Sequence, residues 1–326
     1  MRDLTPFINR LKKNQKHLAK WAKREHISCY RVYDRDLPEF PLAIDLYGER
    51  LHLAEYDTGW QISEQEHTQW IDTVRDTAAQ ALNVPAHLAI FKTRRRQKGL
   101  AQYEKTGVNG QDFEVSEGGL RLIVNLEAYL DTGLFLDHRL TRARIRAEAA
   151  GKRMLNLFAY TGSFTVFAAA GGACETTTVD LSNTYQDWTR RNLLLNQFAS
   201  PVHTLVRADV LNWLEGAYRE CLAFDLIVMD PPSFSNSKKM LETLDVQRDH
   251  RRLIDGAMAL LATGGTLYFS TNLRSFQLDT HLTQRYHIED ISHHSIPEDF
   301  RSKQTTFLER GFALCPPEGG TPSGPS

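Results

Sequence analysis

The chain has 326 residues, 41% of them hydrophobic and 24% charged, with 39 basic against 40 acidic side chains. That length divides more naturally into two domains than one, and a net charge of −1 excludes a global field that would select nucleic acid. Four cysteines, Cys29, Cys174, Cys221 and Cys315, lie far apart with no CxxC pair, which excludes a disulfide framework and a zinc site and suits free thiols in a reducing cytosol. No apolar run approaches the roughly 18–20 residues that span a membrane, and the N-terminus lacks an apolar signal core. A cytoplasmic protein without membrane or metal is expected.

Residues 6–25 repeat at helical spacing. Pro6 suits a first turn with Thr5 as its cap, and Phe7, Leu11, Leu18 and Trp21 recur on one side. Arg10, Lys12, Lys13, Lys16, Lys20, Lys23 and Arg24 fill the rest, with no acid between 10 and 24. Such a helix is a solvated face on a packed core, a phosphate-tracking surface or a membrane-surface helix. Lys12, Lys13, Lys16 and Lys20 are its candidate RNA contacts. Strand-like alternation follows at 29–33, 42–47 and 50–56, then a helix at 65–82 and a strand at 88–92. Two further strands, 113–115 and 120–126, are expected to complete a small sheet. The basic loop before them, with Arg94, Arg95, Arg96, Lys98 and Tyr103, is a second candidate RNA contact. Residues 1–128 are thus read as a basic helix plus a small α+β RNA-binding domain.

Leu134-Phe-Leu-Asp-His-Arg139 leads into a helix over 140–150. Strands at 153–158, 176–179, 203–207, 224–229 and 266–270 then alternate with helices at 164–170, 183–197, 211–219 and 247–261. This alternation predicts a doubly wound, Rossmann-like α/β domain over 129–314, closed by a last pair of strands, one of them antiparallel. Residues 315–326 are rich in Pro, Gly and Ser and are read as a disordered tail.

Chemistry collects at strand ends, where open α/β sheets bind ligands. The first strand ends in Asn156-Leu-Phe-Ala-Tyr-Thr-Gly162-Ser, with one glycine in the turn. A dinucleotide pyrophosphate would ask for G-x-G-x-x-G. S-adenosylmethionine (SAM) carries no phosphate, so one glycine and a helix N-terminus suffice for its methionine end. Asp180, followed by Leu181 and Ser182, ends the second strand 18 residues after Gly162, close to the ~20 at which an acid reaches a ribose diol; a helix cap is the plainer use. Asp209, followed by Val210, ends the third and is open to the same pair of readings, an adenine contact or a cap. Asp230-Pro231-Pro-Ser-Phe234 ends the fourth. Its prolines stiffen a shelf with free carbonyls, and Phe234 can stack on a base. Lys238 and Lys239 then form a basic lip for RNA phosphates.

These residues carry a resemblance. NQKHLAKWAKREHISCYRVYD, KTRRRQKGLAQYEK, YLDTGLFLDHR, NLFAYTGS, TTTVDLSNTY, MDPPSFSNSKKM and DVQRDHRRL are similar to class I SAM-dependent RNA methyltransferases. They resemble most the 7-methylguanosine-forming half of the bacterial large-subunit rRNA methyltransferases K/L. The resemblance implies SAM as cofactor, 23S rRNA or a ribosome assembly precursor as partner, and methyl transfer to guanine N7. It implies cofactor contacts at Phe158, Ala159, Tyr160, Thr161, Gly162, Ser163, Asp180, Leu181, Ser182, Asp209 and Val210, with Phe135, Asp137 and Arg139 approaching. Asp230 would serve both cofactor and substrate, with Pro231 and Phe234 on the substrate side. The chain has no room for the family's N-terminal half, so substrate capture is expected to rest on the N-terminal helix and small sheet or on a separate partner protein.

Two other chemistries and one other class stay open. Cytosine C5 needs a thiolate at C6, and the fifth strand runs on as Phe269-Ser-Thr-Asn-Leu-Arg274 without a cysteine. An exocyclic amine suits an Asp-Pro-Pro followed by an aromatic, although Ser233 displaces the aromatic by one place here. An RNA-binding assembly factor without methyl transfer is the third.

Overall fold

The computed structural model describes residues 3–56, 59–60, 62–93, 110–129, 131–235, 243–301 and 310–317. The described residues divide into two compact units. One holds those up to 136 together with 297–301, the other those of 137–296 and 310–317. The sequence reading places its boundary at 128/129 and assigns 297–301 to the second domain.

The first unit opens with α1 (Thr5–Arg24), then β1 (Cys29–Asp34), β2 (Leu42–Tyr47), β3 (Arg50–Glu55), α2 (Glu64–Ala81) and β4 (Ala89–Thr93). The strands form one sheet in the order β1-β2-β3-β4. Pairing is antiparallel up to β3 and parallel between β3 and β4, because the α2 crossover returns the chain in the same direction. Phe7, Leu11 and Leu18 of α1 and Val74 and Ala78 of α2 are buried in one cluster with Leu42, Ile44, Leu51 and Leu53 of the sheet. Phe7 stacks on Phe40 at 4.5 Å. Thr5 is not the cap of α1: it is the first helical residue, and its N–H donates to the Asp3 carboxylate at 2.9 Å. The strands β5 (Phe113–Glu117) and β6 (Leu120–Val124) do not complete the sheet as expected. Among the described residues they pair as strands with each other, joined by the Gly118-Gly119 hairpin, and β5 meets the chain before β1 at its Ser116 carbonyl, which accepts the Ser28 N–H at 2.9 Å.

Arg31 of β1 is the polar centre of this unit. Its guanidinium meets Asp45 at 2.7 Å and Asp34 at 3.6 Å. From 268 residues away the Asp299 carboxylate accepts the Arg31 N–H at 3.0 Å, and the Phe300 ring lies 4.5 Å from the guanidinium carbon.

The second unit runs α3 (Arg139–Glu148), β7 (Arg153–Leu157), α4 (Ser163–Ala170), β8 (Glu175–Asp180), α5 (Asn183–Leu195), β9 (His203–Arg207), α6 (Val210–Arg219) and β10 (Phe224–Met229). There follow the short β11 (Phe234–Ser235) and β12 (Leu244–Asp245), then α7 (Val246–Met258), β13 (Leu261–Thr271), α8 (Thr280–Arg285), β14 (His287–Asp290) and β15 (Arg310–Cys315). Its seven-stranded sheet has the order β14-β15-β13-β10-β7-β8-β9. Strands 13, 10, 7, 8 and 9 are parallel, and β15 is antiparallel to β13 and β14.

Alternate residues of the central strands face opposite layers. Leu155, Ile227 and Phe269 pack with Leu214 of α6 and Leu253 of α7. Met154, Leu226, Val228 and Tyr268 pack with Ile145 of α3 and Phe164 of α4. Apolar burial on both faces is what an unbroken run such as Leu226-Ile-Val-Met229 demands. The chain leaves β7 for β8 and β9 on one side, then returns to β10 on the other. The order therefore reverses between β7 and β10, which opens a crevice beyond their carboxyl ends.

Candidate active site

The turn after β7 is held in a conformation the side chains alone do not favour. Phe158 and Tyr160 have φ of 55° and 50°, and Gly162, at the start of α4, has 74°. Left-handed backbone at two non-glycine residues is strain of the kind found where ligands bind. A Cβ on Gly162 would fall on the Thr189 side chain, so glycine is required here twice over. The surroundings fix the turn. The Asn192 amide donates to the Thr161 carbonyl at 2.9 Å, the Thr189 hydroxyl to the Tyr160 carbonyl at 3.3 Å, and the Asn156 amide to the Thr165 hydroxyl at 3.0 Å. The first-turn N–H groups of α4 are left at the crevice, where they attract a carboxylate.

Asp180 is not the cap of α5. Ser182 takes that place, its hydroxyl accepting from the Tyr185 N–H. The Asp180 carboxylate accepts instead from the N–H of Tyr160 at 2.9 Å and of Ser182 at 2.8 Å. It thus ties the β7 turn to the end of β8. Burial pushes its carboxyl up from 3.8 to about 6, against the opposing pull of the two N–H donors. Asp209 does cap α6, accepting from the Asn212 N–H at 3.1 Å. Leu181 sits between Asp180 and the cap, and buried Val210 opens α6.

Asp230 follows β10 directly and faces the same crevice. One carboxylate oxygen accepts from the Ser270 hydroxyl at 2.7 Å, the other from His138 Nε2 at 3.1 Å. Pro231 is buried behind it. The Ser233 hydroxyl donates to the Asn272 side-chain carbonyl, joining the loop after β10 to the end of β13. Phe234 is 48% exposed, an uncovered aromatic face beside a fixed carboxylate. His138 and Ser270 escape a reading by motif. His138 sits inside the Leu-Asp-His-Arg string between the residues singled out there, and Ser270 registers as the place where a cysteine is missing.

Asp137 and buried Arg139 flank His138 at the start of α3. Phe135 belongs to the first unit and is 40% exposed. Lys12, Lys13, Lys16 and Lys20 lie on α1; of these Lys16, like Lys12, Lys13 and Lys20, sits on the helix away from the buried Phe7, Leu11 and Leu18. Arg94, Arg95, Arg96, Lys98, Lys238 and Lys239 lie outside the described residues. Among the described residues no His, Cys, Asp and Glu cluster is arranged to hold a metal ion, and no helix is long and apolar enough to cross a membrane.

The chain is similar to known proteins. A family model described as S-adenosylmethionine-dependent methyltransferase matches residues 62–296. Ribosomal RNA large subunit methyltransferase K of Neisseria meningitidis serogroup B is 58% identical over 93% of this chain and 86% of its own. Ribosomal RNA large subunit methyltransferase K/L of Pseudomonas syringae pv. syringae is 54% identical over 90% of this chain, which spans only 39% of that relative's length. The crystal structure of SMU.776 complexed with SAH superposes with a TM-score of 0.75 at 25% identity, covering 96% of this chain and 82% of that one.

Proposed function

The chain belongs to the S-adenosylmethionine-dependent methyltransferases, among the relatives named K and K/L, and from that premise we propose that it methylates large-subunit ribosomal RNA at N7 of a guanine. Bound SAM supplies an electrophilic methyl on its sulfonium. The chain's part is to hold both reactants and to accommodate charge. Gly162 and the start of α4 suit the methionine carboxylate, Asp180 the ribose hydroxyls, and Asp209 the adenine amino group. Phe234 offers a stacking face for the base, and Asp230 fixes its position.

Guanine N7 presents a lone pair and loses no proton, so no general base is called for. Placement in line with the methyl is the main requirement. Positive charge moves from sulfur to the base, and on this reading the Asp230 carboxylate stabilises the cationic ring. The observation that carries N7 over cytosine C5 is the position of the cysteines. Cys174 precedes β8, Cys221 precedes β10, and Cys315 ends antiparallel β15. All three therefore sit at the end of the sheet opposite Asp230, and Cys29 lies in the first unit. No thiol of the second unit's sheet stands at the Asp230 end for a covalent intermediate.

Substrate capture is assigned to the lysines of α1, with Arg94, Arg95, Arg96, Lys98, Lys238 and Lys239 as further basic contacts. A partner protein carrying additional RNA-binding surface fits the K/L relatives, of which this chain spans about two fifths. The test is mass mapping of 23S rRNA from a strain that lacks this chain. One 7-methylguanosine should disappear and return with the wild-type chain but not with Asp230→Ala. Disappearance of an N2-methylguanosine or a 5-methylcytidine instead would overturn the N7 assignment.

A further inference from the structure

The carboxylate of Asp230 is gripped from two sides, and the grip is built by elements that meet nowhere else in the sequence. Met229 pairs with Phe269 across β10 and β13, so Asp230, the first residue past β10, stands beside Ser270, which is still within β13. The Ser270 hydroxyl then donates to one carboxylate oxygen at 2.7 Å. His138 arrives from the turn before α3, 92 residues away, and reaches the other oxygen at 3.1 Å through Nε2. An ionised carboxylate only accepts, so the ring presents Nε2–H to it. The His138 side chain is only 5% exposed, whereas Asp230 keeps 25% of its own surface open. The ring also packs edge-on against Phe164, 5.3 Å between centroids. Phe164 is the second residue of α4, directly after the Gly162-Ser163 turn.

Donors on both oxygens restrict the carboxylate's rotation. We propose that His138, assisted by Ser270, is a positioning residue for methyl transfer: it fixes the orientation of the Asp230 carboxylate against the base. This deepens the assignment of Asp230 made above and rests on it. In the transfer, the bond from nitrogen to methyl forms as the bond from sulfur to methyl breaks. The bonding pair stays on sulfur, and the positive charge passes to the base. A carboxylate held still before the reaction stabilises that charge without reorganising. One free to rotate, or drawn out to water, stabilises it less. The loss should therefore fall on the chemical step and not on cofactor affinity.

The experiment uses the full chain, tritiated SAM and an unmodified 23S rRNA transcript. His138→Phe keeps a ring against Phe164 and removes the donor. His138→Gln puts an amide donor where Nε2 stands, and His138→Asn is too short to reach. We expect His138→Phe and His138→Asn to lower kcat by roughly 10- to 100-fold, the loss expected for a hydrogen bond to a charged group. His138→Gln should recover most of it and Ser270→Ala should fall between. SAM Kd by calorimetry should stay within about twofold of wild type throughout, as for an interaction felt mainly in the transition state. The proposal is overturned if His138→Phe keeps its kcat, if SAM affinity falls as far as kcat, or if Gln is no better than Asn. Should His138→Phe fail to fold, the Gln and Asn pair still decides. Digestion of the product to nucleosides keeps the two claims apart. A product other than 7-methylguanosine removes the N7 assignment, while the kcat pattern alone judges His138.

Discussion

On the proposed reading of Asp180 as the ribose contact, cofactor binding depends on pH. The Asp180 carboxyl is raised from 3.8 to about 6 by burial, with N–H donors from Ser182 and Tyr160 pulling the other way. A group raised on folding contributes stability in full below its unfolded pKa of 3.8 and loses that contribution as pH rises through about 6. The cofactor-free chain should thus lose some stability between about pH 4 and about pH 7 on this account. Ribose hydroxyls donate best to the ionised form, so SAM affinity should rise over the same window. We predict a larger SAM-induced increase in Tm at about pH 7.5 than at about pH 5.5, and a flat response in Asp180→Asn. Equal shifts at both pH values in the wild type would remove Asp180 from the ribose contact. The acid itself is legible in the sequence from its place at a strand end. Its bond to the Tyr160 N–H is not, because it depends on left-handed backbone at Phe158 and Tyr160, residue types that give no warning of it.

At the scale of elements, the two strand ends flanking the crevice divide the work. On the proposed reading the β7 turn and Asp180 hold the cofactor, and the loop after β10 receives the base. Phe234→Ala should therefore lower transfer to RNA while leaving SAM Kd unchanged, with a loss of ~1–3 kcal/mol in apparent RNA affinity, the range for one stacked base. Equal loss of SAM affinity would move Phe234 into the cofactor site. The basic helix is a second element to which the proposal gives one task, holding RNA phosphates. Replacing Lys12, Lys13, Lys16 and Lys20 by Gln should flatten the salt dependence of RNA binding, by roughly 0.7–0.9 in log–log slope for each phosphate left without its lysine. An unchanged slope would leave α1 as a solvated face over Phe7 and Leu11. The alternating strands and helices of the second unit are readable because their apolar runs are continuous and end in Gly, Asp or Pro. The partner of the β5–β6 hairpin is not, because alternation reveals a strand and not its neighbour. In the same way, α7 ends at Met258 and β13 already begins at Leu261, since an apolar stretch of Ala, Met and Leu carries no period that separates helix from strand.

For the whole molecule, the least legible feature is the return of 297–301 to the first unit. Its anchor is the bond from the Arg31 N–H to Asp299 across 268 residues, which no local pattern announces. Family and fold are legible because the strand-end strings are long and specific. The atom methylated rests on chemistry: a fixed carboxylate, an exposed aromatic face, and no cysteine at that end of the sheet. It is tested most directly by borohydride and aniline treatment of a 23S rRNA transcript methylated by the purified chain. The account predicts a single new break, at one guanosine, in a transcript that has gained one methyl. A variant with all four cysteines changed to Ser should give the same break. A transcript that gains a methyl yet resists cleavage, or is no longer methylated once one particular cysteine is replaced, would contradict it.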